Sequence, residues 1–330
     1  MQLELKNKEL PKIYIKEIRY AMINNTKNIL LKYISLIGLL LICIIISVIS
    51  PRFLTVSNVL NVLTQVSVNA ILAIGMTFVI LTGGIDLSVG SVLAITGAVV
   101  ANFAKSGGNI LPGIIVSIII GAAIGLFNGL IVSKGKIQAF IVTLATMTIF
   151  RGVTYVFTNG DPISGLGNNI SFIGNNSLLG IPIPIFLILI VLFIAWYALN
   201  QTRFGRYVYA LGGNEDSARL SGINTNKIKT LVYVISGVTA AIGGIIVTSR
   251  IGSASPNAGT GFELDAIAAV VLGGTSLAGG EGSVTGTIIG ALIIGVLNNG
   301  LNIMNVSPFY QSIVKGAVIL LAVLLDKRDK

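Results

Sequence analysis

Residues Arg203–Lys229 read RFGRYVYALGGNEDSARLSGINTNKIK, a polar stretch between the apolar runs Ile181–Leu199 and Ile228–Ser249. An apolar run of about 20 residues crosses the hydrocarbon core of a bilayer as an α-helix. The flanks are therefore built for lipid and the middle for water. The middle is also long enough to fold. Asn214, Glu215, Asp216 and Ser217 can open a short helix, because their side-chain oxygens cap free backbone N–H groups. Gly222 can close it in a left-handed turn. A short amphipathic helix on the face of a membrane protein is a handle for another protein.

The apolar texture of the flanks extends over most of the chain. Of 330 residues, 54% are hydrophobic and only 10% charged, with a mean hydropathy of +0.91; a soluble chain carries about 25% charged residues. The runs are continuously apolar rather than alternating, which argues against a membrane β-barrel. The expected fold is an all-α polytopic membrane protein with about ten transmembrane helices. They are Leu30–Ile49, Val59–Leu81, Ser88–Ala104, Leu111–Ser133, Ile137–Thr158, Ile181–Leu199, Ile228–Ser249, Leu264–Thr275, Val284–Asn302 and Tyr310–Leu325. The eighth is short for a crossing and suits a broken or half-crossing helix, tolerated where protein or a water-filled cavity covers its backbone. Residues 30–326 then form a single transmembrane domain that includes the polar loop 203–227. A basic N-terminal lead, 1–29, precedes it and a short tail, 327–330, follows it.

Basic residues orient this layout. Seventeen of the 22 Lys and Arg fall on the side that holds both termini and the 203–227 loop. Arg52, Lys105 and Arg250 fall on the other side, and Arg151 and Lys315 lie within spans. Cytoplasmic loops are enriched in Lys and Arg, so both termini are expected in the cytoplasm and Asn159–Gly180 outside. An odd number of spans would put the basic tail on the wrong side. The net charge of +10 is then a topology signal, reinforced by anionic lipid, and requires no nucleic-acid partner. A signal-peptide core runs about 7–15 residues and ends at a small-residue cleavage site. Leu30–Ile49 is longer and continues into Ser50-Pro51-Arg52, as a retained first span does. Cys43 is the sole cysteine, which excludes an intrachain disulfide and a cysteine metal site.

Apolarity does not join helices in lipid, whereas small residues let backbones approach. Gly121, Gly125 and Gly129 share one face of the fourth span, and Gly282, Gly286 and Gly290 one face at the start of the ninth. Thr82–Gly90 (TGGIDLSVG) and Leu272–Gly282 (LGGTSLAGGEG) are alike: apolar run, Gly pair, polar bend, Gly, apolar run. This is either a weak internal repeat, common in transporters, or a coincidence of Gly-rich membrane turns.

The missing motifs narrow the function. No Gly-x-x-x-x-Gly-Lys-Ser/Thr phosphate loop is present; the nearest match, Gly135-Lys136, is followed by Ile137. The chain has no histidine, which excludes a Ser-His-Asp triad and a His proton relay. Among ionisable residues at membrane depth, Asp86, Glu263 and Asp265 sit where they can cap helix starts. Arg151 and Lys315 either snorkel to an interface or pair with a carboxylate. A neutral polar solute needs uncharged donors and acceptors. Asn61, Gln65, Asn69, Asn128, Asn298 and Asn299, with Asp86, are the candidates for a pathway or gate. Hydrogen bonding between helices is the plainer role for any one of them.

Three stretches carry a family resemblance: AIGMTFVILTGGIDLSVGS at 73–91, YALGGN and ARLSGI at 209–214 and 218–223, and TGFELDAIAAVVLGGTSLAGG at 260–280. They resemble the permease subunits of ribose-type ATP-binding-cassette sugar importers, and the likeness runs in order through roughly residues 30–326. It implies a type II importer-like bundle in a bacterial cytoplasmic membrane, with two copies of the subunit forming one pathway. It also implies a separate cassette ATPase that binds ATP and Mg, and an extracytoplasmic binding protein that delivers a monosaccharide such as ribose. This chain would then be no enzyme and carry no cofactor. The stretch Gly213, Asn214, Glu215, Asp216, Ser217, Ala218, Arg219, Leu220, Ser221 and Gly222 would be the loop that docks into the ATPase. The lead before Leu30 is longer than the resemblance requires, and a plain cytoplasmic extension is expected. Two other classes are an ion- or proton-coupled secondary transporter of a small polar solute, which needs an essential membrane carboxylate, and a membrane enzyme, for which no catalytic constellation stands out.

Overall fold

The computed structural model describes residues 35–107 and 109–326. The 1–29 lead, the first residues of the first expected span and the 327–330 tail lie outside them. Five helices come first: α1 (Ser35–Ile49), α2 (Val56–Leu81), α3 (Val89–Lys105), α4 (Leu111–Gly135) and α5 (Ala139–Thr158). A connection follows with β1 (Ile163–Ser164), α6 (Asn168–Asn175) and the hairpin of β2 (Ser177–Leu178) and β3 (Ile181–Pro182). Next come α7 (Ile183–Gln201), α8 (Arg203–Gly213), α9 (Glu215–Leu220) and α10 (Thr225–Ile251). β4 (Ser253–Ala254), α11 (Phe262–Leu272), α12 (Val284–Ile303) and α13 (Pro308–Asp326) complete the order.

Each expected span coincides with a helix, and six of them, α2, α4, α5, α7, α10 and α12, are long and apolar enough to cross a membrane. The short eighth run is α11, with 11 residues. At about 1.5 Å per residue it covers roughly half of a ~30 Å hydrocarbon core, as a half-crossing helix does. Protein surrounds it: α2, α12, α3 and α13 all pack on it.

The bundle has a protein-facing centre and a lipid-facing rim. The most apolar stretch of α2 is 83% buried, against 22% for α7. α3 is buried along nearly its whole length. The α4–α10 seam is the tightest, and glycine makes it so. A Cβ at Gly121, Gly125 or Gly129 would overlap the α10 backbone at Gly237, Tyr233 or Thr230. Gly286 and Gly290 likewise sit on Gly273 and Ala269. Gly282 departs from expectation. It lies in the turn before α12 at φ +147, against the Thr275 side chain, because α12 begins only at Val284.

The connections segregate to two ends, as alternating crossings require. At one end the Gly280 N–H donates to the Leu81 carbonyl (3.0 Å), and the Tyr209 hydroxyl to the Gly282 carbonyl (2.9 Å). At the other end β1 pairs antiparallel with β4, and Ser249 donates to the Ile170 carbonyl. The two similar Gly-rich turns meet at the first end: a Cβ at Gly279 would press on the Gly83 nitrogen and the Leu81 carbonyl.

Candidate functional site

The polar stretch folds into a shelf of two helices across one end of the bundle. α8 starts where the Thr202 hydroxyl accepts the Gly205 N–H (3.3 Å). Its Val208 and Leu211 are buried, and Phe204 stacks on Phe78 with ring centroids 6.1 Å apart. Burial pushes the Tyr209 phenol up, and its hydroxyl donates to the Gly282 carbonyl. This helix was not anticipated, although Thr202 as a cap and apolar residues at positions 204, 208 and 211 signal it.

α9 is built as the sequence indicates. The Asn214 side chain accepts the Ser217 N–H (2.8 Å). Glu215 and Asp216 occupy the first turn and Arg219 the last, matching the helix dipole. Gly222 at φ +84 reverses the chain, while the N–H groups of Gly222 and Ile223 close on the carbonyls of Arg219 (3.0 Å) and Ala218 (3.1 Å). An ion pair from Glu215 to Lys229 (2.6 Å) ties α9 to α10. The expected apolar face splits, however. Ala218 is buried against its own bundle, whereas Leu220 is 87% exposed. The exposed side of α9 is therefore Leu220 with Asp216, Ser217, Arg219 and Ser221, while Ala218 faces the bundle.

Gly212 fastens the shelf to the bundle. A Cβ there would overlap the Leu81 carbonyl and the Gly280 nitrogen. At Gly212 the shelf thus meets the end of α2 and the second Gly-rich turn backbone to backbone, and the Tyr209 hydroxyl adds a side-chain hydrogen bond to Gly282. Gly213, one residue on, has nothing within 4 Å of its Cβ position.

The candidate pathway residues separate into three groups. Gln65, Asn69 and Asn298 line a cavity of about 260 Å³ at the opposite end from the shelf, together with Arg250, Asp265 and Lys315. Asn61 accepts a hydrogen bond from Gln65 (3.1 Å) beside it. Asn299 is elsewhere: it and Asn58 exchange two amide hydrogen bonds, 2.9 and 3.0 Å, joining α12 to α2. Asp86 is fully buried in the α2–α3 turn. Its carboxylate accepts from the Ser88 N–H (3.0 Å), the Ser88 hydroxyl (2.6 Å) and the Ser236 hydroxyl (2.7 Å). Asn128 donates to Ser88 (2.9 Å) and accepts from Thr146 (2.7 Å). Asp86 was expected to cap α3, but it accepts from the N-cap residue Ser88 itself rather than from the free N–H groups of the helix; through Ser236, and through Ser88 to Asn128 and Thr146, it ties that turn to α10, α4 and α5.

The other membrane-depth charges find partners as well. Asp265, expected to cap α11, instead pairs through its carboxylate with Lys315 (3.1 Å), joining α11 to α13. Glu263 accepts the Gly261 N–H (3.1 Å) at the start of α11. Arg151 forms no ion pair with a carboxylate among the described residues; it donates to the carbonyls of Pro256 and Ala258, both at 2.7 Å. That fixes the loop between α10 and α11.

A family profile described as a branched-chain amino acid transport system permease component matches residues 58–323. The ribose import permease protein of Escherichia coli K12 is 56% identical over 92% of this chain and 96% of its own length. That of Bacillus subtilis strain 168 is 53% identical over 88% and 91%, respectively. The D-allose transport system permease protein of Escherichia coli K12 is 42% identical over 90% and 91%. No solved structure matches. Identity above one half across nearly the whole length, on a multi-pass helical bundle, places the chain in the family of ribose-type ATP-binding-cassette importer permeases.

Proposed function

We propose that this chain is the membrane-spanning subunit of a ribose importer, crossing the membrane about ten times with both termini and the α8–α9 shelf in the cytoplasm. The observation that carries this reading is the 56% identity to a ribose import permease over 92% of the chain. The energy source is a separate cassette ATPase, since the sequence holds no phosphate loop. An extracytoplasmic binding protein supplies the sugar and most of the selectivity. Two copies of the chain form one pathway.

In this reading α9 docks into a groove on the ATPase through its exposed face, with Leu220 as the apolar anchor. ATP binding pulls the two shelves together. Gly212 has no free space around it, so the pull passes directly to the α2–α3 and α11–α12 turns. For ATP to shift the bundle between inward-open and outward-open forms, it must bind the two with different affinity. The amide-lined cavity around Gln65, Asn69 and Asn298 forms the outer wall of the pathway, where amides exchange hydrogen bonds with sugar hydroxyls. Reconstitution tests the reading. The chain in liposomes with its cassette ATPase and binding protein should accumulate ribose only when ATP is present. Accumulation by the chain alone under a proton gradient would instead favour a secondary transporter.

A further inference from the structure

A second cavity, of about 600 Å³, lies beneath the shelf, among the starts of α5 and α10, the α4–α5 turn, α9 and Gly83–Gly84. Its volume suits a small ligand. Its electrostatics favour an anion. Lys136, Arg219 and Lys229 line it. Asp216 and Glu215 neutralise Arg219 and Lys229, each at 2.6 Å. Lys136 is exposed and has no carboxylate partner among the described residues. Two long helices, α5 with 20 residues and α10 with 27, begin at this wall. Helix starts carry partial positive charge and unpaired N–H groups, and Gln138 gives α5 no side-chain cap.

One buried group calls for a ligand atom. The Tyr233 side chain is 1% exposed, forms part of this wall, and its hydroxyl has no hydrogen-bond partner among the described residues. It ends against Gly84, where a side chain would collide with it. A buried hydroxyl without a partner costs about 1–3 kcal/mol, and an acceptor oxygen in the cavity removes that cost. Ile137, which lines the cavity, and the nearby Phe140 and Ile141 are apolar and exposed, a surface that suits lipid.

We propose that this cavity binds a phosphate group esterified to a small polyol, supplied either by the headgroup of an anionic phospholipid or by a soluble sugar phosphate. Lys136 and the first N–H groups of α5 hold the phosphate oxygens, and the Tyr233 hydroxyl donates to the ligand. This site does not depend on what the transport pathway carries.

The test uses the full chain in phosphatidylcholine nanodiscs, with and without phosphatidylglycerol. Titration calorimetry with glycerol 3-phosphate probes the soluble source. Native mass spectrometry of phosphatidylglycerol retained after extraction probes the lipid source. Binding of either probe, weakened about tenfold or more by both Lys136→Gln and Tyr233→Phe, is the expected result; a lost hydrogen bond to a charged group has that size. Lys136 is exposed, so Lys136→Gln keeps the wild-type melting point. Saturable glycerol 3-phosphate binding identifies the soluble source, and retention of phosphatidylglycerol alone the lipid source. Binding of neither probe, or wild-type binding in either variant, overturns the proposal.

Discussion

The two ends of the bundle are closed by different means. At the shelf, backbone meets backbone: Gly212 lies on Leu81 and Gly280, and no methyl group fits between them. At the far end, side chains surround a cavity of about 260 Å³, and the Lys315–Asp265 ion pair bridges α13 to α11 across it. Backbone contacts through glycine have one arrangement and transmit a push without absorbing it. Long polar side chains have several rotamers and can exchange partners. This asymmetry suits the proposed function, with force arriving at the shelf and a polar solute entering at the far end. Packed interfaces switch between discrete states rather than deforming smoothly.

The largest effect is expected from filling the rigid end. Gly212→Val forces a branched side chain into the Leu81 carbonyl and the Gly280 nitrogen. Overpacking costs about 1–3 kcal/mol, and here the obstructing atoms are backbone and cannot rotate away. ATP-driven ribose uptake should fall by about 100-fold or more, with a lower melting point. Gly213→Ala, next to it but facing open space, should keep wild-type uptake. Equal behaviour of the two variants breaks the comparison.

The cavity end should respond less, and reversibly. Lys315→Met leaves the Asp265 carboxylate, 5% exposed, without its cation. Removing one partner of a buried pair costs about 3–5 kcal/mol; Lys315 is partly exposed here, so the lower half of that range applies. Uptake should drop roughly tenfold, and adding Asp265→Asn should restore most of it by removing the stranded charge. Thermal unfolding of the single and double variants checks this. A double variant worse than Lys315→Met contradicts a simple ion pair.

The smallest effect is expected at Asn299, which pairs with Asn58 away from both the cavity and the shelf. Hydrogen bonds between membrane helices average about 0.6 kcal/mol. Asn299→Ala should lower the melting point by a degree or two and leave uptake within about twofold of wild type. A large loss of uptake would return Asn299 to the pathway.

The degree to which these features could be foreseen follows the range of the forces involved. Continuous apolar runs marked the helices, because lipid acts on each segment alone. The α9 boundaries were equally legible, because Asn214 and Gly222 act on their own neighbours. α8 is masked by the polar stretch that contains it, although its buried face at Val208 and Leu211 follows helical spacing. The inward turn of Ala218 could not be read locally, since a two-turn helix takes its facing from what lies beneath it. The same limit applied to the amides. Asn298 and Asn299 are neighbours in sequence, yet one lines a cavity and the other closes a helix pair. Asp265 looked like a cap because its partner, Lys315, lies 50 residues away.

The docking of α9 on the ATPase is tested most directly at Leu220. Its side chain is 87% exposed and supports nothing in the bundle, so Leu220→Asp should insert and melt like wild type, since surface changes usually stay within about 0.5 kcal/mol. Co-purification with the cassette ATPase, and ATP-dependent ribose uptake in the same liposomes, are the paired readouts. The docking account predicts that both fall at least tenfold in Leu220→Asp. Wild-type ATPase association and uptake in that variant would contradict it and make α9 a solvated connector.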